Sequence, residues 1–515
     1  MTDTSENNKR IAKNTLLLYV RMILMMVISL YTSRVVLNTL GVEDYGIYNV
    51  VGGVVSMFVF INASMTSVTQ RYINYALGKG NSFELKQIFV TSLIIHFVIA
   101  GIIFILCETI GLWFLQNKMI IPENRIYAAN WVFQCVVFST MIMIISVPYN
   151  ATIIAHEKMS AFAYISIFEA VFKLLIVFLI SVISYDKLIY YSLLLLLVQI
   201  IIRFIYQIYS RKHFPEVRFS IKKDLKLLEK KLFSGMCSFA VWNIIGNLAV
   251  VGVSQGINIL LNIFWGPLLN AAKGISTQVQ GTINGFASNF QLSINPQITK
   301  SYASNNLHYM YQLVCSSSKY SFFVLFLISL PVLIECNQIL FWWLGQVPDY
   351  TTFFVRIILI ISMIDSMSNS LIASIQASGK IRLYQFVVGT TILTVVPISY
   401  IVTKYLYKDP HCVMGIYFCI NLIALVVRLL IVHKKINLSL KKYFVEVILK
   451  VILVVLISSF IPIILYLYMS PSLYRFLLVC GLSVVNTLFA IYLCGLNNEE
   501  RYFIKCRINK IINSL

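Results

Sequence analysis

The chain is short of charge, and of acid above all. Only 12% of its 515 residues are Asp, Glu, Lys or Arg, with 20 acidic residues against 41 basic ones. An ordinary water-soluble domain carries about 25% charged residues, so the surface needed to dissolve a chain of this length is missing. The six histidines are isolated and the ten cysteines form no CxxC pair, which excludes a zinc knuckle or a dithiol redox motif. The cysteines fall mostly in apolar runs, where they serve as small core residues. Neither HExxH nor a Walker phosphate loop occurs. No metal, catalytic residue or ATP hydrolysis is therefore expected. No A-x-A-like cleavage site follows the first apolar run, which reads as a retained span rather than a signal peptide.

What the chain has is oil: 59% hydrophobic residues and a mean hydropathy of +0.82. Apolar segments long enough for a hydrocarbon core of roughly 30 Å lie near 11–40, 46–78, 86–116, 125–153, 159–185, 188–210, 232–264, 267–300, 312–344, 351–376, 381–404, 411–433, 443–469 and 472–494. The expected fold class is an all-α polytopic membrane protein with about 14 transmembrane helices. Several segments exceed the bilayer and must tilt or project from it. The longest polar connection, Ser210 to Lys231, mixes leucines with lysines and reads as an amphipathic helix on the membrane surface.

A net charge of +21 would suggest nucleic acid in a soluble protein. Here the basic residues gather in alternate loops instead, and no nucleic-acid partner is expected. With the N-terminus inside, only six of the 41 lysines and arginines fall in outer loops: Lys118, Arg125, Lys187, Lys404, Lys408 and Arg475. That asymmetry places both termini in the cytoplasm. Trp113, Trp342 and Trp343 then belong to the outer interface, and Glu108 and Glu335 to its wet side.

The chain repeats itself. Asn38 stands before the hairpin "LGVEDYG" and Asn262, 224 residues later, before "FWGPLLN". "LCETIGLWFLQ" matches "ECNQILFWWLGQ" with Trp113 over Trp342, and "ATIIAHEK" (Ala151 to Lys158) matches "ASIQASGK" (Ala373 to Lys380). Three anchors at nearly constant offset indicate two repeats of six spans. The expected organisation is an N-lobe over 1–210, a cytoplasmic linker over 211–231, a C-lobe over 232–434, and two extra spans with a tail over 435–515. Six is even, so both repeats enter in the same sense, as in transporters whose halves rock about a central site.

The residues "LGVEDYGIYNVVGGVVSM", "SVPYNATIIAHEKM" and the 6+6+2 span pattern resemble the bacterial polysaccharide-repeat-unit flippases of the O-antigen and capsule type. These belong to the multidrug/oligosaccharidyl-lipid/polysaccharide exporter (MOP) superfamily. The resemblance implies a V-shaped pair of six-helix lobes around a cationic cavity in the inner membrane. It also implies movement of undecaprenyl-diphosphate-linked oligosaccharide between leaflets, with a polysaccharide polymerase as a further partner beside the membrane lipids.

Polar residues inside spans are the candidate site. On the seventh span Asn243, Asn247, Ser254, Gln255, Asn258 and Asn262 fall within about 120°. On the eighth, Asn270, Lys273, Thr277, Gln280, Asn284, Ser288, Gln291 and Asn295 fall within about 80°. Either these stripes line a passage for a hydrophilic head group, or they bond helix to helix. Lys273 can meet a diphosphate or an acidic sugar, as can Arg21 and Arg34 on the first span. Those two lie about 140° apart, so only one is expected to face the cavity: the repeat offset favours Arg34, the family resemblance Arg21. Arg71 is a candidate or a simple interfacial anchor. Glu169 is spaced to pair with Lys173, and Asp365 has no partner near it in sequence. A proton or sodium ion coupled through Asp365 or Glu169 is the only small cofactor expected.

The rival readings are a cation-coupled multidrug exporter of the same superfamily, a flippase for the peptidoglycan lipid precursor, and a membrane glycosyltransferase or polymerase. The last requires a large external catalytic loop, and every outer loop here is short. Reporter fusions after Lys231 and after Leu515 should both read as cytoplasmic; an external reading at either point would break the two-repeat alignment.

Overall fold

In a computed structural model, residues 2–56, 59–117, 121–182, 185–218, 224–497 and 500–501 are described, and among them no strand occurs. The first repeat comprises α1 (Thr2–Ser56), α2 (Val59–Lys79), α3 (Ser82–Leu106), the short α4 (Leu112–Asn117), α5 (Ile126–Ala155), α6 (Met159–Val182) and α7 (Lys187–His213). The second comprises α8 (Lys230–Trp265), α9 (Pro267–Ala303), α10 (Leu307–Ile334), α11 (Cys336–Leu344), α12 (Thr351–Ser378), α13 (Ile381–Leu393), α14 (Val395–Tyr405) and α15 (Pro410–Ile436). A short α16 (Leu440–Tyr443), α17 (Lys450–Tyr468) and α18 (Leu473–Ala490) complete the chain.

Among the described residues, twelve helical stretches are long and apolar enough to cross a membrane. The two expected spans outside that set are 46–78 and 267–300. The first is interrupted by residues 57 and 58, which lie outside the described residues; the second is helical through α9 but too polar to qualify. They are the second span of each repeat. A helix satisfies its own backbone in hydrocarbon, so its side-chain face is free to be polar where that face does not meet lipid.

The repeat is written in the backbone as well. Left-handed residues recur in pairs: Gly41 (φ 81) with Gly266 (φ 80), Gly80 (φ 69) with Asn305 (φ 59), and Glu157 (φ 59) with Gly379 (φ 75). Gly41 breaks what is otherwise continuous helix from Thr2 to Ser56, and Gly266 separates α8 from α9. Nothing lies within 4 Å of a Cβ built at either glycine, so backbone conformation alone demands glycine there. The third span of each repeat is also interrupted near its end, by a π-helical turn at Cys107–Gly111 and by a break at Glu335 before α11.

Two compact units form: residues 1–247 with 299–306, and residues 248–298 with 307–515. The division passes through α8 and α9 and not through the linker. In the first unit α5 packs on α7, α3 and α2, with Phe89 and Tyr149 edge to face at 5.3 Å in its core. Arg125 ties three loops of this unit together: its Nε donates to Asp44 at 2.8 Å and its Nη1 to Asp186 at 2.7 Å. That contact explains an acid in the first hairpin. The described parts of the linker are short 3-10 turns, Pro215–Val217 and Leu225–Leu227; residues 219–223 of the expected surface helix lie outside the described residues. Glu216 meets His156 at 2.6 Å and Asp224 meets Lys86 at 2.9 Å, so the linker is pinned to the first repeat.

In the second unit α10, α12 and α15 pack together, and α17 and α18 lean on α10. Glu335 is not at a wet interface as the sequence suggests. It is 1% exposed and receives both Nε and Nη2 of Arg475 at 2.9 Å. Further along the same pair of helices, Lys319 of α10 is buried and donates to Glu500 at 2.8 Å and to the Gly495 carbonyl at 3.2 Å. Ion pairs at the start of α18 and beyond its end thus fasten the two extra spans to α10 and to the break that follows it.

Gly266→Ala should lower the thermal stability of the purified protein by about 1–2 kcal/mol, because a Cβ is strained in the left-handed region. Gly281→Ala, in open helix with nothing within 4 Å of the new Cβ, should instead raise it by up to about 1 kcal/mol. Equal melting shifts would mean that the turn at Gly266 does not hold its backbone conformation.

Candidate functional site

The second span of the second repeat carries the clearest signal. On α9 the residues Gly274, Thr277, Gln278, Gly281, Thr282 and Ser288 are exposed, and they cover an arc of about 140°. From Asn270 to Gln291 no exposed residue of α9 is an apolar one larger than alanine. Hydroxyls, an amide and bare backbone cannot face lipid tails cheaply, so this face belongs to water or to a polar solute. On α8 the opposite holds: Val241, Ile245, Leu248, Val251, Ile259 and Ile263 are exposed, a surface fit for hydrocarbon.

The stripe expected on α9 divides in two. Thr277 and Ser288 lie on the exposed edge, but Gln280 Nε2 donates to Ser362 Oγ at 2.9 Å. Gln291 Nε2 donates to Ser321 Oγ at 3.1 Å and to the Ser366 carbonyl at 3.2 Å. Those two amides bond α9 to the serine-rich faces of α10 and α12 and line nothing. Asn284 and Asn270 are half-buried, and the Asn270 Oδ1 is enclosed without a hydrogen-bond partner. On α8 the candidates also separate. Asn243 is buried, and Asn247 Nδ2 donates to Ser64 Oγ of α2 at 2.7 Å. Asn258 is half-buried and donates to the exposed Gln255 at 3.3 Å.

The charges sort by partner. Asp365, alone in its stretch of sequence, meets Arg428 of α15 at 3.1 Å. Glu169 accepts from Lys173 at 2.6 Å, as their spacing predicts, and from Gln199 of α7 at 3.0 Å. Several cations form no ion pair among the described residues. Lys273 is 4% exposed, and its ammonium donates to Thr277 Oγ1 at 3.3 Å with no carboxylate in ion-pair range among the described residues. Arg21 stacks its guanidinium over the Phe162 ring at 4.5 Å, and its Nε is buried without a hydrogen bond. Arg21 thus faces α6 of the first repeat. The side chain of Arg34 lies outside the described residues. Arg71 stacks among Tyr72, Tyr75 and Phe239 at 4.6–5.2 Å, in an aromatic seat.

Sequence reasoning passed over Arg203 on α7. Its guanidinium lies 4.0 Å above the Tyr149 ring with Nη1 buried and unbonded. In sequence it stands in "RFIYQIYSRKH", where it resembles the basic fringe of a span end. Only the face it shares with Gln199 and Tyr206, at helical spacing, hinted otherwise. A cavity of about 160 Å³ in the same repeat is lined by Lys173, Gln199, Ser192, Ser139 and Thr140 among others. Among the described residues no cluster of three metal-ligating side chains occurs.

No protein-family model matches the chain, and no curated protein matches it in sequence. Solved structures do. A MATE transporter in the bent conformation superimposes with a TM-score of 0.72 at 12% identity, over 85% of this chain and 97% of that one. A MOP-superfamily transporter from Pyrococcus furiosus, whose binding pocket is described as of reverse polarity and suggestive of a different function, gives 0.68 at 12% identity, over 82% and 96%. The MATE transporter ClbM in complex with Rb+ gives 0.67 at 14% identity, over 84% and 96%. The chain therefore has the fold of the MATE transporters of the MOP superfamily, in a multi-pass membrane protein.

Asp365→Asn should cost about 3 kcal/mol of stability, because it strands the buried Arg428 guanidinium. Asp365→Asn combined with Arg428→Gln should recover much of that loss. Thermal unfolding of the purified variants reads both; a double variant as unstable as the single one would mean that the pair is not the reason for the loss.

Proposed function

We propose that this protein is a flippase of the bacterial inner membrane. It carries lipid-linked oligosaccharide repeat units, bearing a diphosphate, from the cytoplasmic to the outer leaflet for surface polysaccharide synthesis. Both termini face the cytoplasm in this reading, and transport proceeds by alternating access without chemistry on the substrate. The observation that carries it is the imbalance of charge: Asp365, Glu169 and Glu335 each already face a cation, whereas among the described residues Lys273, Arg21 and Arg203 form no ion pair, Arg21 having near it only Glu169, which already pairs with Lys173. An ammonium buried without an acid costs several kcal/mol, which a bound diphosphate or uronate would offset through charge-assisted hydrogen bonds. The exposed polar face of α9 supplies the wet wall that a glycan needs.

Cationic drugs call for the reverse arrangement, with carboxylates left free. The MATE fold is shared with multidrug exporters, so that reading is the alternative the test must separate. A coupling ion would act at the Asp365–Arg428 pair, where protonation of the acid releases the arginine. A polysaccharide polymerase is the natural partner at the outer leaflet.

Deleting the gene should leave lipid-linked repeat units on the cytoplasmic leaflet and remove surface polysaccharide. The wild-type gene should restore both, Lys273→Arg should restore most, and Lys273→Ala should clear the lipid-linked pool about ten-fold more slowly, the loss of one such interaction of about 1.4 kcal/mol. Intact polysaccharide with lost resistance to cationic dyes would overturn the proposal in favour of a drug exporter.

A further inference from the structure

Glu157 occupies the turn between α5 and α6 in the left-handed conformation. That region penalises every side chain relative to glycine, and the matching turn of the second repeat uses Gly379. The glutamate side chain is 1% exposed, and its two oxygens serve different segments. Oε2 accepts from Arg10 Nε at 2.7 Å, and Oε1 accepts from Lys300 Nζ at 2.5 Å. One helical turn beyond Arg10, Asn14 Nδ2 donates to the backbone carbonyl of Glu157 at 3.3 Å.

Lys300 belongs to the second repeat, near the end of α9, yet residues 299–306 pack in one compact unit with the first repeat. The fit there is close. A Cβ on Gly78 of α2 would stand 2.6 Å from the Lys300 carbonyl oxygen and 2.7 Å from the Ala303 Cβ. The start of α8 lies on α2 in the same unit: Phe239 meets Tyr72 edge to face at 6.1 Å, and Asn247 bonds to Ser64. Between these helices a single buried carboxylate holds a cation from each repeat.

We propose that Glu157 is the latch of the transport cycle at the end of the bundle that carries the basic loops. Its carboxylate binds Arg10 of the first repeat and Lys300 of the second, and it must release Lys300 before that end can open. This rests on the alternating-access reading above, though not on the identity of the substrate. Two observations favour a latch over a simple turn residue. The second repeat builds the same turn with glycine, so the turn itself has no need of a carboxylate. The strained residue also points its charge into the seam where the repeats touch, where breaking one ion pair biases a two-state element.

Cys237 of α8 lies beside Tyr72 in that seam. In purified protein that keeps Cys237 as its only cysteine, the rate of maleimide labelling reports opening. Glu157→Gln should raise that rate about five-fold or more, the shift expected when the closed state loses its fastening. Glu157→Gly removes the carboxylate while relieving the left-handed backbone, and it should still label faster. Lys300→Met leaves the turn untouched and should label faster too. If Glu157→Gly and Lys300→Met label at the wild-type rate, Glu157 is a turn residue and the latch is wrong. Labelling needs no substrate, so that result would leave the flippase reading standing. A failure of glycan transport in the wild type would, in turn, leave the latch untouched.

Discussion

Charge inside a low-dielectric bundle must be answered, and most of this structure follows from where the answers lie. An isolated ion taken from water costs several kcal/mol even after the protein relaxes. The ion pairs here stand where helices need fastening. Arg475 and Glu335 hold α18 to the break before α11, Lys319 and Glu500 hold the segment after α18 to α10, and Asp365 and Arg428 join α12 to α15. Set apart from those pairs are Lys273, Arg21 and Arg203, which form no ion pair among the described residues. Lys273 has a threonine hydroxyl, and Arg21 and Arg203 have aromatic faces, which hold a cation in place without neutralising it. A guanidinium seated on a ring keeps its N–H edge available to an anion.

The turns were legible in the sequence because each demands something that few residues supply. "LGVEDYG" and "FWGPLLN" each place a glycine where the backbone turns left-handed, and the structure has φ of 81° and 80° there. Span number and the repeat were legible for the same reason: they are local patterns read in order along the chain. The acid–base pairs were not. Glu335 and Arg475 are 140 residues apart and Asp365 and Arg428 are 63 apart, and nothing local in "IISMIDSMSNS" says that an arginine waits two spans later. Glu169 and Lys173, four residues apart on one helix, were legible because helix geometry alone brings them together.

The polar stripes show where periodicity stops being informative. An arc on a helical wheel says that residues share a face, and it does not say what that face meets. On α9 the arc straddles two environments: Gln280 and Gln291 reach into α10 and α12, while Thr277 and Ser288 stay on the open edge beside Gln278 and Thr282. What the wheel lacked was the serine content of the neighbours. Ser321, Ser362 and Ser366 are spread over two other helices, and each supplies an acceptor that draws an amide inward. The exposed set is distinguished by size more than by polarity. Gly274 and Gly281 belong to it, and small residues leave room for a solute at the helix surface.

The two repeats share their turns and differ in their ions, and that difference bears on how such a fold can move. Here Glu157 stands where the second repeat has Gly379, and Asp44 in the first hairpin reaches Arg125 where the second hairpin, "FWGPLLN", has no acid at all. The first repeat is therefore stapled across its own loops, and it also carries the carboxylate that grips the second. Backbone symmetry gives each half the same hinge geometry, with glycines at the hairpins and left-handed caps at the helix ends. Side-chain asymmetry then decides which contacts must break for the hinges to be used. Because an ion pair on a buried carboxylate such as that of Glu157 has a discrete bound state and a discrete hydrated one, opening at such a seam would be a switch between two arrangements and not a gradual loosening.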